Sequence, residues 1–251
     1  MPQPPHFFTT TTGRKIAYHK TDGQGPTVVF LLGLKSDMEG SKAIFLEDWA
    51  KANGRPFLRF DYSGHGQSSD AFTDGCIGDW ANDAQEAIES LTDGPVLLVG
   101  SSMGGWISLL LTKRLNRPIV GLVGIAAAPD FTEDSMWAGF SNAQKAALDA
   151  EGFVALPSEY GDPYIITKRM IEDGRHQLVL RDPLPLPFPV RLVQGTKDTA
   201  VLRDVPLRIL DHVTCDDITL TFKKDADHSF STPDCLEIIR GHIEAILAIK
   251  E

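Results

Sequence analysis

The run Pro95-Val-Leu-Leu-Val-Gly-Ser-Ser-Met-Gly-Gly-Trp106 restricts the fold of this chain more than any other stretch. Pro95 to Gly100 is wholly apolar, as expected of a strand buried on both faces of a parallel sheet. It passes without a spacer into Met103 to Leu115, which reads as a helix. Gly100-Ser-Ser-Met-Gly104 therefore fits G-x-S-x-G in a strand-turn-helix setting; the pattern is weak alone and strong in this context. The glycines have a steric purpose. Ser102 must occupy a sharp, strained turn with its hydroxyl above the carboxyl end of the sheet, and side chains at Gly100 and Gly104 would collide with that turn. Gly105 allows close approach of helix and strand. The bland alternative is a helix start with Ser101 or Ser102 as N-cap.

The remaining sequence alternates in the same way, which predicts an α/β fold with a mostly parallel central sheet and helices on both faces. Phe7 to Thr10 and Lys15 to His19 flank a Thr-Gly turn as an antiparallel hairpin. Strands are expected at Thr27 to Gly33, Phe57 to Phe60, Ile119 to Ala126, Val190 to Gln194 and Ile218 to Phe222. Helices are expected at Ser41 to Asn53, Gly78 to Leu91, Leu202 to His212 and Pro233 to Lys250. The rhythm breaks over 130–189. Two amphipathic helical stretches, Ser135 to Ala150 and Tyr164 to Leu180, predict a helical lid insertion with no strand between them. Pro183-Leu-Pro-Leu-Pro-Phe-Pro189 favours an extended return to the sheet. A length of 251 residues with 42% hydrophobic content suits one domain over 1–251 carrying that insertion.

A formal net charge of -10 repels nucleic acid and anionic lipid, so polyanionic partners are not expected. No apolar run reaches the roughly 20 residues of a membrane-spanning helix. The N-terminus lacks a basic segment, a long apolar segment and an Arg-rich character, and a cytoplasmic location is the expectation. The three cysteines, Cys76, Cys215 and Cys235, are widely spaced and read as reduced thiols without a metal role.

A serine hydroxyl needs a base, and histidine suits that task because its pKa lies near neutrality. Of seven histidines, His228 follows the last strand and precedes the closing helix, which brings its loop to the sheet edge that carries Ser102. An acid on another loop of that edge must orient the imidazole. Asp198 follows the strand Val190 to Gln194, and the order Ser102, Asp198, His228 is the one such folds use. Asp130, which also ends a strand, is the main rival; Asp225 and Asp227 are others. His65, between two glycines, is better explained by turn chemistry than by catalysis. Acyl transfer also needs backbone donors for the developing oxyanion. The amide of Met103 and that of Leu34, with Lys35 as the alternative to Leu34, are the candidates. Neither a cofactor nor a metal ion is called for.

Phe30-Leu-Leu-Gly-Leu-Lys-Ser36, Arg59-Phe-Asp-Tyr-Ser-Gly-His-Gly-Gln-Ser-Ser69, Gly100-Ser-Ser-Met-Gly-Gly-Trp106, Gly124-Ile-Ala-Ala-Ala-Pro129 and the Asp227-His228 loop together resemble one branch of the α/β-hydrolase superfamily. It is the branch of abhydrolase domain-containing protein ten, which includes protein S-depalmitoylase and acyl-glucuronide esterase activity. The resemblance implies the α/β-hydrolase fold, Ser102 as nucleophile, Asp198 as acid and His228 as base. The substrate it implies is a small-molecule ester or acyl thioester, or an S-acylated protein.

The segment 130–189 holds Phe131, Met136, Trp137, Phe140, Phe153, Tyr160, Tyr164, Ile165, Met170 and Ile171, enough apolar surface to roof an acyl pocket or to hold the lid to the body. Met136, Trp137 and Phe140 are the residues expected to touch substrate. Lys168, Arg169, Arg175 and His176 read as a solvated helix face, with contact to an anionic substrate group as the alternative. The leading function is ester or thioester hydrolysis through an acyl-serine. A non-catalytic binding or receptor protein and a carbon–carbon bond hydrolase are the competing readings, because one scaffold hosts many chemistries.

Overall fold

In a computed structural model, which describes residues 4–156 and 163–249, eight strands form one sheet. In chain order they are β1 (His6–Thr9), β2 (Lys15–Thr21), β3 (Thr27–Leu31), β4 (Phe57–Phe60), β5 (Val96–Ser101), β6 (Ile119–Ile125), β10 (Val190–Gly195) and β12 (Ile218–Lys223). Their spatial order is β1-β2-β4-β3-β5-β6-β10-β12. The pairs β1–β2 and β2–β4 are antiparallel; the rest are parallel. β5 lies mid-sheet, with Leu98 opposite Val29 on one side and Leu122 on the other. All six of its residues are buried, which explains the absence of polar alternation in its sequence.

Helices α1 (Ser41–Ala52), α2 (Ile77–Leu91), α3 (Met103–Leu111), α6 (Asp204–His212) and α7 (Pro233–Ala248) accompany the sheet. Their bounds follow the sequence expectation to within a few residues.

The excursion between β6 and β10 differs from the expectation. A π-helical turn at Thr132–Trp137 precedes α4 (Asn142–Glu151), because the Ser141 hydroxyl caps the amide of Gln144 and begins a new helix. Gly152, at φ 82°, ends α4, and an antiparallel pair follows: β7 (Phe153–Leu156) and β8 (Tyr164–Thr167). The expected absence of strands was therefore incorrect. Each strand is only four residues long, and the apolar spacing that continues from Tyr164 into α5 (Lys168–His176) hides the strand inside a helical pattern. Thr167, whose hydroxyl accepts from the Met170 amide, marks the true helix start. Tyr160 lies outside the described residues. Of the proline-rich return, Leu184–Pro185 is extended as strand β9, which pairs in parallel with β11 (Val213–Thr214).

Both ends of the excursion are tied at one carboxylate. Asp130, fully buried at φ 60°, accepts the amides of Val179 (2.8 Å) and Leu180 (3.0 Å) and the guanidinium of Arg181 (3.0 Å). Trp106 on α3 donates to the carbonyl of Gln177, and Asp173 accepts the amide of Gly78 at the start of α2. Among the described residues no helix is long and apolar enough to cross a membrane.

Candidate active site

Ser102 stands between the end of β5 and the start of α3, at φ 53° and ψ -117°. A non-glycine residue in that region costs about 1–3 kcal/mol unless its surroundings enforce it. Here they do: the Ser102 amide donates to the Ile125 carbonyl, and its own carbonyl accepts the amides of Gly105 and Ala128. The flanking glycines are required by contact. A Cβ on Gly100 would lie 2.3 Å from the Gly104 carbonyl oxygen, and one on Gly105 would lie 2.5 Å from the Ala127 methyl.

The imidazole of His228 links two of the expected residues. Its Nε2 lies 3.1 Å from Ser102 Oγ, and its Nδ1 lies 2.8 Å from Asp198 Oδ2. The Asp198 carboxylate also accepts the Gln194 amide group (2.8 Å) and the backbone amides of Ala200 (2.9 Å) and Val201 (2.8 Å). Burial pushes this carboxyl up, but the hydrogen bonds from His228, Val201 and Gln194 outweigh it and hold the group below its ordinary value. Asp198 is thus an anion with its lone pairs occupied. The rival Asp130 faces the excursion, where its oxygens are taken by Val179, Leu180 and Arg181.

Two chambers meet at Ser102 and His228 and share Leu34 and Tyr164 as walls. One, of about 470 Å³, is lined by Ala128, Phe131, Met136, Leu156 and Val201. The other, of about 460 Å³, is lined by Lys35, Asp37, Lys42, Ser229 and Ser231. Leu34 lies beside Ser102: a Cβ on the preceding Gly33 would touch Ser102 Cβ at 3.4 Å, and Leu34 itself lines both chambers. Lys35, at φ 53°, turns the loop at this point. Met103 opens α3 directly after Ser102, leaving its amide at the positive end of the helix dipole.

Of the three expected substrate contacts, only Met136 lines a chamber. Trp137 is turned away, its ring packed against the ammonium of Lys145 (4.9 Å) and the guanidinium of Arg175 (4.5 Å). Phe140 is buried in the hydrophobic core. Both expectations are corrected for one reason: sequence spacing does not define which face a helical turn presents to its neighbours. Lys168, Arg169 and Arg175 pair with Asp149, Asp79 and Glu133, in keeping with a solvated face. Phe131 and Tyr164, named among the apolar residues of the segment, do line the chambers, although Tyr164 does so from the unforeseen strand. Among the lining residues that the sequence reading did not name, Val201 could have been found from its nearness to Asp198, and Lys42 gave no sequence signal.

His65 does not approach Ser102; it is buried with its ring edge-on to Tyr62, Phe72 and Trp80. Burial, with help from the Lys35 charge, lowers its pKa to about 4, against the weaker opposing hydrogen bond to the Ser63 carbonyl. A histidine whose folded pKa lies below 6.5 loses stability as pH falls from 6.5 towards 4. Between pH 7 and 4.5 the loss attributable to His65 is about 2–3 kcal/mol. Asp61, which burial raises to about 6, acts oppositely, so the test is the difference between wild type and His65→Leu in urea unfolding at the two pH values. Equal acid sensitivity in both proteins would contradict the expectation.

The alpha/beta hydrolase family matches residues 39–248. Among similar proteins, the rat palmitoyl-protein thioesterase ABHD10, mitochondrial (Rattus norvegicus), is 35% identical over 217 residues, covering 85% of this chain and 72% of the relative. The bovine protein of the same name (Bos taurus) is 33% identical over 234 residues, 92% of this chain and 76% of the relative. A solved structure from Agrobacterium vitis S4, described as a candidate hydrolase, superposes with a TM-score of 0.92 at 36% identity, over 98% of this chain and all of that one. Mouse alpha/beta hydrolase domain-containing protein 10 superposes with a TM-score of 0.89 at 27% identity, over 99% and 100%. The curated relatives are mitochondrial by name, which overturns the cytoplasmic location expected from N-terminal composition; a few terminal residues are a poor guide to compartment. With its family match, its fold and its strand-turn-helix serine, the chain belongs to the alpha/beta hydrolase family.

Proposed function

We propose that this chain is a serine hydrolase that cleaves acyl thioesters and esters through a covalent acyl-Ser102 intermediate. The observation that carries the reading is the continuous contact Ser102–His228–Asp198, in which Ser102 and His228 stand on the wall common to both chambers and Asp198 is buried behind them. His228 donates Nδ1–H to the ionised Asp198, which leaves Nε2 as the acceptor for the Ser102 hydroxyl proton. The deprotonated Oγ attacks the acyl carbonyl. The amides of Met103 and Leu34 stabilise the resulting oxyanion, each by roughly 2.7–4 kcal/mol on precedent. Collapse breaks the bond to the thiol or alcohol, which leaves with the proton held by His228. Water then attacks the acyl-serine, losing its proton to His228, and the free acid departs. No cofactor enters either half-reaction.

The apolar chamber suits the acyl chain and the hydroxyl- and lysine-lined chamber suits the leaving group. The excursion over 130–189 is the lid of a single domain, since Phe131, Met136, Leu156 and Tyr164 supply chamber wall. The relatives are named palmitoyl-protein thioesterases, which supports a long-chain acyl thioester on a protein or a small thiol as substrate.

The test is kcat/KM for one leaving group carrying acyl chains of increasing length, as thioesters and as esters. Each methylene that enters the apolar chamber is worth about 0.8 kcal/mol, roughly fourfold in kcat/KM, until the chamber is filled. A flat response would remove the chamber assignment. Binding without turnover across the panel would replace the enzyme with a ligand-binding protein.

A further inference from the structure

The loop that carries His228 is held from two sides. Its first half is tied to the loop of Asp198: the Asp225 amide donates to Thr196 Oγ (2.8 Å), and the Lys197 amide donates to the Ala226 carbonyl (2.9 Å). Gly195 permits this packing, since a Cβ there would lie 2.3 Å from the Ala226 carbonyl oxygen. The second half is reached by one side chain from the far end of the sequence. Lys42, in the first turn of α1, donates from Nζ to the Ser229 carbonyl (2.6 Å) and lies 3.3 Å from Ser231 Oγ. The Ser231 hydroxyl itself donates to the same carbonyl (2.8 Å).

The loop needs such a restraint. Asp225 and Phe230 are non-glycine residues at φ 63° and 48°, conformations that persist only when enforced. The His228 side chain is 35% exposed, whereas that of Asp198 is fully covered, so packing alone holds the base less firmly than the acid. No carboxylate of the described residues lies within 4 Å of the Lys42 ammonium; its strong contact is the carbonyl directly after His228. Lys42 also lines the leaving-group chamber, where the base loop faces open space.

We infer that Lys42 is a positioning residue that holds His228 in line with Ser102 by anchoring the Ser229 carbonyl. This rests on the reading of Ser102 and His228 as nucleophile and base. A charged donor on a backbone carbonyl makes one of the stronger hydrogen bonds available. Without it, the loop relaxes into the chamber and Nε2 loses its alignment with Oγ.

The experiment compares wild type with Lys42→Met, Lys42→Gln and Lys42→Arg. It reads kcat and KM for one acyl thioester, the rate of Ser102 labelling by a fluorophosphonate, and the melting temperature. A misplaced base costs roughly tenfold to a hundredfold. Lys42→Met and Lys42→Gln should lose that factor in kcat and in labelling rate, with KM within about twofold and little change in melting. Lys42→Arg, which keeps the charged donor, should recover most of the loss. Unchanged kcat, a loss confined to KM, or activity that falls only as the fold melts would each overturn the proposal; Lys42→Gln keeps the test decisive if the Met variant does not fold. Absence of labelling at Ser102 in wild type would instead sink the underlying assignment of the nucleophile.

Discussion

Ser102→Ala should abolish turnover while leaving the fold intact. The expected loss in kcat is about 10⁴- to 10⁶-fold, because nucleophile and base act as one unit and removing either forfeits the covalent route. Stability should change by about 1 kcal/mol or less, the net worth of one hydroxyl contact to the His228 ring. The backbone is indifferent to the change, since the strained φ of 53° is imposed by the bonds to Ile125, Gly105 and Ala128, all of which an alanine keeps. Acyl chains should still bind in the apolar chamber. The measurements are steady-state hydrolysis of an acyl thioester and a thermal melt on the same preparation. Turnover within a hundredfold of wild type, with the melt unchanged, would remove Ser102 from the chemistry.

Ser102, Asp198 and His228 were legible in the sequence because each follows one of the parallel strands of a single sheet. The carboxyl ends of such strands face one edge, so chain order translates into proximity; the contacts of 3.1 Å and 2.8 Å express that topology. The chamber walls were not legible in the same way. Met136, Trp137 and Phe140 lie within five residues of each other, yet one meets the chamber, one faces two cations and one enters the core. Their fates depend on how the π-helical turn docks on α5, an orientation that no periodicity records. The β7–β8 pair was hidden because four-residue strands carry too few positions to compete with the helical spacing around them. Lys42 was invisible for a related reason, since its contact lies 187 residues away.

Gly104→Ala should be severely destabilising, against the ordinary sign of such a change. Within a helix, alanine is favoured over glycine by about 0.8–1 kcal/mol, and Gly104 is the second residue of α3. Contact reverses the balance. A Cβ at this position would stand 2.0 Å from the Leu31 carbonyl oxygen, 2.5 Å from the Leu31 carbonyl carbon and 2.7 Å from the Leu32 carbonyl oxygen. These are backbone atoms of a buried strand end, so no side chain can swing aside. Either α3 lifts from the sheet or the end of β3 is displaced, and overpacking of this kind costs roughly 3 kcal/mol. For a chain of this size the melting temperature should fall by about 6–12 °C. Activity should fall further than stability, because the displaced segment leads into Gly33 and Leu34 beside Ser102, and a misplacement of 1 Å costs about a hundredfold. Thermal melting together with the fluorophosphonate labelling rate of folded protein separates the two effects. A variant that melts higher than wild type would show that helix propensity outweighs the clash, and the close approach of α3 to β3 would no longer account for the glycine.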